Sequence, residues 1–191
     1  MSYRIKLLLV FIAVALITNG ISLAVMYRLS SHYLFDGYRD KMLSITATTA
    51  AMLDGDELSR IQSRADEDTP TYSQLREILK RVRNSNQRSD TYMKRVFTVI
   101  KSKEDPNALT IAVDPEENPT IRAHAGEVYR PGKQQMAGIQ QPFVEDDFIT
   151  DEFGTFLRSW APVRDHSGRI AGAVVRGQGR RLPGRTGRGH R

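Results

Sequence analysis

Five side chains in this sequence combine charge, aromatic surface and strand context in the way a small-ligand site requires: Tyr92, Arg95, Asp114, Tyr129 and Trp160. A small organic anion is held by a fixed cation, an aromatic wall and a few hydrogen-bond donors. Arg95 supplies the cation, and Tyr92, Tyr129 and Trp160 supply the wall and donors. Arg164 is a further cation of the same kind. Asp114 ends a strand, where it could bind an amine or cap the turn that follows. Arg95 and Thr98 are three apart, so on one strand they face opposite ways, and only one of them points into a given pocket. Arg158 and Trp160 are two apart and share a face. The plainer alternative is a core role for Trp160 and solvated arginines.

Other chemistry finds less support. Glu145, Asp146, Asp147, Asp151 and Glu152 crowd five carboxylates into eight residues. Hard cations take several oxygen ligands, but the EF-hand order is absent, and solvated loop charge is the reading favoured. A catalytic carboxylate pair would need burial to raise one pKa, and nothing in the pattern indicates it. Asp54, Asp56 and Glu57 admit an acidic metal loop; a helix cap at Asp54, with Glu57 at the third helical position and a Leu53–Leu58 staple, fits the spacing better. The chain has no Cys, which excludes disulfides, thiolate metal sites and Cys nucleophiles. Its four His show no ligand spacing. No nucleophile–base pair or metal triad can be named, so the chain reads as a non-enzyme without cofactor or metal, and a hydrolase built on the acidic cluster is the weakest rival.

The elements that must position these residues follow from periodicity. Ser30 to Met52 repeats apolar residues every three or four positions (Tyr38, Met42, Ile45, Thr49, Met52), which predicts a long helix. Thr69-Pro70 opens another, with Leu75, Ile78, Leu79 and Val82 as one buried stripe, and Asn84-Ser85-Asn86 ends it. Arg95–Lys101 and Leu109–Val113 then read as a strand hairpin about the Glu104–Asn107 turn, and the two prolines after Asp114 stop the ladder. Lys133–Ile139 is ambiguous and admits a short helix. Phe156–Val163 and Arg169–Val175 form the last hairpin, around Arg164–Gly168. Helices first and antiparallel hairpins after argue for an α+β fold.

Leu7 to Met26 is a run of 20 uncharged residues. At about 1.5 Å per residue such a helix spans roughly 30 Å, the hydrocarbon thickness of a bilayer. Arg4 and Lys6 precede it and favour a cytoplasmic N-terminus, which leaves the rest of the chain exported. A cleaved signal peptide, with cleavage after Ala24, and a buried core helix are the competing readings; the run exceeds the usual h-region of about 7–15 residues. The sequence therefore divides into a cytoplasmic N-terminus (1–6), a transmembrane helix (7–27), an exported domain (28–175) and a tail (176–191).

Charge separates the tail from the rest. The formal net charge is +6, and the six Arg between Arg176 and Arg191, with no acid among them, account for all of it. The first 175 residues are neutral, which argues against a nucleic-acid-binding core. The tail, RGQGRRLPGRTGRGHR, has too little apolar content to bury a core and is expected to be disordered. An RNA- or lipid-binding role suits its composition, but an exported tail does not meet RNA. A shifted reading frame in GC-rich DNA also produces Arg, Gly and Pro, and is the favoured account.

The order of these segments resembles a known family. Helix, helix, then VFTVIK, LTIAVD, GEVY (Gly126–Tyr129) and DEFGTFLRSWAPVRDHSGRIAGAVV is similar to the Cache-type, extracytoplasmic PAS-like sensory domains of bacterial chemoreceptors, sensor kinases and cyclases. The most specific part is Asp151-Glu152-Phe153-Gly154 followed by Trp160-Ala161-Pro162-Val163-Arg164-Asp165 and Gly168. The resemblance covers about residues 30–175. It implies a single-pass protein of the bacterial cytoplasmic membrane and a stalk helix packed on a PAS-like antiparallel sheet, with the helices on one side. It also implies a small-organic-ligand pocket between sheet and loops and a homodimer formed through the stalk helix. In the family a second span and an output domain follow the last strand; here neither follows Val175, so the chain is expected to be a receptor without its output half. The alternative is a stand-alone ligand-binding module, anchored or secreted, that does not signal.

Overall fold

The computed structural model describes residues 2–88, 91–151 and 154–179; for Arg88, Thr91, Tyr92, Ala137, Gly138, Asp151 and Gly154 it describes the backbone alone. The chain divides into two compact units, one ending at Lys41 and the next beginning at Met42.

Helix α1 spans Tyr3–Ala51. Its N-terminal part is long and apolar enough to cross a membrane, and none of that stretch is buried. The polar side chains inside the run turn back on their own helix: Thr18 Oγ1 donates to the Val14 carbonyl and Asn19 Nδ2 to that of Ala15, both at 2.9 Å. Such internal bonds satisfy the polar groups a bilayer core cannot hydrate.

The second unit opens with the end of α1. Met42, Thr46, Thr49 and Ala50 are its buried positions. The expected stripe also included Met52, which is exposed; Thr46 and Ala50 take the inward face instead. Short helix α2 (Gly55–Leu58) is capped as its sequence predicts, with Asp54 Oδ1 accepting from the amides of Asp56 at 2.8 Å and Glu57 at 3.3 Å. The staple partners Leu53 and Leu58 are both buried. A 3₁₀ turn (Arg64–Asp68) leads to α3 (Pro70–Ser85), where Thr69 Oγ1 accepts from the Tyr72 amide and Pro70 begins the helix. Leu75 and Leu79 of the expected stripe are fully buried; Ile78 and Val82 pack at its margin.

The strands are β1 (Gln87–Arg88), β2 (Thr91–Tyr92), β3 (Arg95–Lys101), β4 (Leu109–Val113) and β5 (Val128–Tyr129), then, after α4 (Lys133–Gly138), β6 (Phe143–Val144), β7 (Ile149–Asp151), β8 (Gly154–Arg164) and β9 (Ile170–Gly179). β1 and β2 pair with each other; the main sheet runs β5-β4-β3-β9-β8-β6, with β7 also on β8, and every pairing is antiparallel. The fold is thus α+β with a long apolar N-terminal helix and an antiparallel sheet. Gly172 on β9 is a close-approach point: a Cβ there would collide with the Val99 carbonyl oxygen, so only glycine fits.

Both faces of the sheet are covered. Val96, Ile100, Ala161, Val163 and Val174 face the end of α1, α2 and α3. Phe97, Val99, Trp160, Ala173 and Val175 face the other way, toward Ala123 and Ile139. Helices on one side is therefore true of α1 to α3 only, since Met136 of α4 packs against the second face.

The last strand runs further than the sequence indicates. β9 continues through Arg176, Gly177 and Gln178 to Gly179, paired with β8 as far as Gly179. Arg176, expected in the tail, is fully buried on the helix-covered face and donates through Nη2 to Gln178 Oε1 at 3.1 Å. Cross-strand pairing on both sides, with β3 and β8, outweighs the poor strand propensity of Arg-Gly-Gln-Gly. The rest of the tail, 180–191, lies outside the described residues.

Candidate functional site

On the face away from α1 to α3, the sheet carries a cleft whose empty volume, open mouth included, is about 400 Å³. Strand alternation builds it. Arg95 and Phe97 stand two apart on β3, and Phe156 and Arg158 two apart on β8, so all four point to one side. β9 lies between these strands and contributes Gly177, opposite both Arg95 and Arg158. A side chain at Gly177 would press on the Phe156 ring, its Cβ only 3.2 Å from ring carbon Cδ1, so glycine leaves the floor clear. Ile111, Ala123 and Tyr129 complete the lining.

The loop after β4 is held over the cleft by two carboxylates. Asp114 is 2% exposed; its Oδ2 accepts from Arg95 Nη2 at 2.6 Å and from the Ala123 amide at 3.1 Å. Its Oδ1 accepts from the Glu116 amide at 2.9 Å. Glu67, from the 3₁₀ turn, accepts from the Ala125 amide at 2.8 Å and from Arg122 Nη2 at 2.7 Å. Gly126 follows at φ +88°, a left-handed conformation that favours glycine, with Gln62 and Ser63 packed against it.

Aromatic rings form the wall. Tyr129 meets Phe97 edge to face at 6.0 Å and lies 6.0 Å from Trp160, which stacks on Phe143 at 6.3 Å. The guanidinium carbons of Arg95 and Arg158 stand 5.9 Å over Phe97 and Phe156 respectively, positions in which the ring face favours the cation.

Behind Arg158 sits Glu145, which has no exposed surface. Its Oε1 accepts from Gln135 Nε2 at 2.5 Å and lies 3.9 Å from Arg158 Nη1; its Oε2 accepts from the Arg158 amide at 3.2 Å. The sequence reading of this residue as solvated loop charge is therefore corrected. The cause is β6, which pairs with β8 one residue earlier and carries Glu145 inward. Burial pushes the Glu145 carboxyl above the usual carboxylate range, opposed by the Gln135 hydrogen bond and the Arg158 charge. A raised native pKa means the native state holds the proton more tightly than the unfolded chain. This residue's contribution is then most favourable below its ordinary pKa and is lost as pH rises through the raised value. Glu145→Gln, a mimic of the protonated form, should gain on the wild type in denaturant midpoint between pH 5 and pH 7. One proton limits that gain to about 1.4 kcal/mol per pH unit. A pH-independent difference between the two proteins would contradict it.

Of the five expected site residues, Arg95 and Tyr129 line the cleft. Asp114 and Trp160 lie behind it, the first as the partner of Arg95 and the second as fully buried core. Asp114 acts both as the turn cap that was one expectation and as an ion-pair partner. Tyr92 has its backbone in β2, and its side chain is outside the described residues. Arg164 is exposed and donates to the Gly168 carbonyl in the β8–β9 turn, outside the cleft. Phe97, Ile111, Ala123, Phe156, Arg158 and Gly177 are the lining residues that were not singled out for the site. Stepping two residues along the strand from Arg95 and from Trp160 reaches Phe97, Arg158 and then Phe156.

One set of metal-capable groups is present among the described residues. Asp54, Asp56 and His166 bring ligand atoms within 4.8 Å of one another. All are in other use: Asp54 caps α2, and the Asp56 carboxylate accepts from both the backbone amide and the ring Nδ1 of exposed His166.

No protein-family model matches the chain, and no curated protein matches it significantly.

Proposed function

We propose that the chain is a membrane-anchored, extracytoplasmic, PAS-like sensory domain of a bacterial receptor, which binds a small organic ligand and performs no chemistry on it. The observation that carries this reading is the cleft on the sheet, where two arginines and three aromatic rings converge on one open, largely apolar depression, a lining of the kind small-ligand sites have. The apolar part of α1 supports an anchor: it is unburied, and its Thr18 and Asn19 are satisfied within the helix. Arg4 and Lys6 ahead of that stretch favour keeping the N-terminus in the cytoplasm, so that the sheet unit is exported. A homodimer through the α1 residues beyond the span belongs to the same reading.

Ligand binding to such a domain matters only through differential affinity for two conformations. The structure offers a short route for it. Ser159 lies on β8 between Arg158 and Trp160, and its Oγ is 2.5 Å from Thr46 Oγ1 on α1, so a shift of the cleft's floor is felt by the helix.

Two measurements on the full chain test the proposal. Membrane fractionation followed by protease accessibility should leave the protein in the membrane, with the sheet unit cut only from outside. A thermal-shift panel of small carboxylates, amines and neutral compounds should contain a stabilising ligand, worth about 2.7 kcal/mol at a hundred times its Kd. Recovery of the intact product from the cytosol, or a flat response across the panel, would overturn it.

A further inference from the structure

We propose that Asp54, Asp56 and His166 form a surface site for a divalent transition-metal ion of the zinc type, which staples the β8–β9 turn to the start of α2. The site is separate from the cleft and independent of the sensory reading.

Its donors come from two places in the chain. Asp54 and Asp56 flank Gly55, the first residue of α2, and His166 lies 110 residues beyond Asp56, in the turn between β8 and β9. The sequence alone offers only the acidic half, and a loop of carboxylates is ordinary solvated charge. The imidazole changes the chemistry, and packing delivers it. A Cβ on Gly55 would meet the Arg164 carbonyl oxygen at 2.4 Å, so the backbone of the turn lies directly on the start of α2. Asp165 holds the turn in shape, its Oδ1 accepting from the amides of Ser167 and Arg169, both at 2.9 Å. The His166 amide donates to Asp56 Oδ2 at 3.0 Å. The ring is thereby set with Nδ1 toward both carboxylates, bonded to Asp56 Oδ2 and 3.9 Å from Asp54 Oδ1.

The three donors can close on one ion. Their ligand atoms lie within 4.8 Å of one another. Bonds of about 2.0–2.2 Å to a tetrahedral ion place its ligands roughly 3.3–3.6 Å apart. The side chains of Asp54, Asp56 and His166 are 37%, 43% and 81% exposed, so the small movement this needs is made in solvent. The helix cap engages Asp54 Oδ1 and the His166 amide engages Asp56 Oδ2. A carboxylate has about four acceptor positions, so both bonds persist while the ion binds. The metal replaces the proton between His166 Nδ1 and Asp56, and the remaining ring proton sits on Nε2. An imidazole with two carboxylates suits Zn²⁺ and its first-row neighbours, whereas Mg²⁺ and Ca²⁺ take oxygen donors. Three protein donors leave a position for water.

The test is isothermal titration of the full chain, without an affinity tag and in detergent micelles, with Zn²⁺, Ca²⁺ and Mg²⁺ in turn. Zn²⁺ should bind at least about tenfold more tightly than Ca²⁺ or Mg²⁺, since the imidazole favours only the first. His166→Ala leaves the backbone amide in place and should weaken Zn²⁺ binding by about a hundredfold or more, because even an outer-shell partner is worth about 10–100-fold in metal affinity. Asp54→Ser removes a carboxylate while its hydroxyl still caps α2. A loss of Zn²⁺ affinity there, at an unchanged melting temperature, separates coordination from folding. His32→Ala, on α1 and outside the site, should leave the affinity as it was. Zn²⁺ binding that survives His166→Ala would overturn the proposal by assigning the metal to other histidines. Ca²⁺ binding as tight as Zn²⁺ would reduce the site to a solvated acidic loop, and no Zn²⁺ binding at millimolar concentration would remove it altogether.

Discussion

Replacing Asp114 with alanine will destabilise the sheet unit by about 3–5 kcal/mol, the range for removing one partner of a buried ion pair. The side chains of Arg95 and Asp114 are 9% and 2% exposed, so water cannot substitute for the missing carboxylate. The substitution removes more than the pair. Asp114 also accepts from the amides of Glu116 and Ala123, so its loss releases the loop that carries Ala123 over the cleft. Ligand affinity should fall together with stability. Asp114→Asn keeps the side chain's shape and one acceptor oxygen, and should cost less than alanine. Denaturant unfolding of the full chain, followed by fluorescence of its single tryptophan, Trp160, reads both changes. A loss within about 0.5 kcal/mol, as for an ordinary surface substitution, would show that the pair does not hold the loop.

Trp160→Ala should cost a similar amount, about 3–5 kcal/mol, the usual range for truncating a buried Trp or Phe. The indole has no exposed surface and is flanked by Tyr129 at 6.0 Å and Phe143 at 6.3 Å. It occupies the centre of β8, opposite Val175 of β9 and Phe143 of β6. Removing it opens a cavity that Val175 and Ile139 cannot fill without moving the strands. Tyr129 loses its support on the side away from the cleft, so the aromatic wall should loosen and ligand binding weaken. Trp160→Phe, which keeps a ring in place, should retain most of the stability. Thermal unfolding by far-ultraviolet circular dichroism, independent of tryptophan emission, measures the series; equal melting temperatures for Trp160→Ala and the wild type would remove Trp160 from the core.

Much of the secondary structure was legible in local sequence. The bounds of β3 and β4 coincide with those read from their β-branched and aromatic runs, and Thr69-Pro70 opens α3 where predicted. Caps and strand runs are settled by groups within about four residues of one another. The candidate site was half legible. Arg95 and Tyr129 were chosen for their chemistry and line the cleft, whereas Trp160 was chosen for the same reasons and lies in the core behind it. Residue type marks what a side chain can bind, and strand parity marks which neighbours share its face. Neither says which face of the sheet carries the cleft.

Sequence alone therefore determined the α+β class, the apolar helix able to span a membrane, the start of α3 and the bounds of β3 and β4, because those depend on short-range periodicity and capping. Tertiary structure alone decided that Arg95 meets Asp114 across 19 residues and that Glu145 turns inward toward Arg158. It also decided that Arg176 is buried in a strand. Those outcomes depend on the register of β3, β8 and β9, which is set by burying apolar side chains on both faces of the sheet at once, and the ion pairs form where that register brings the charges together.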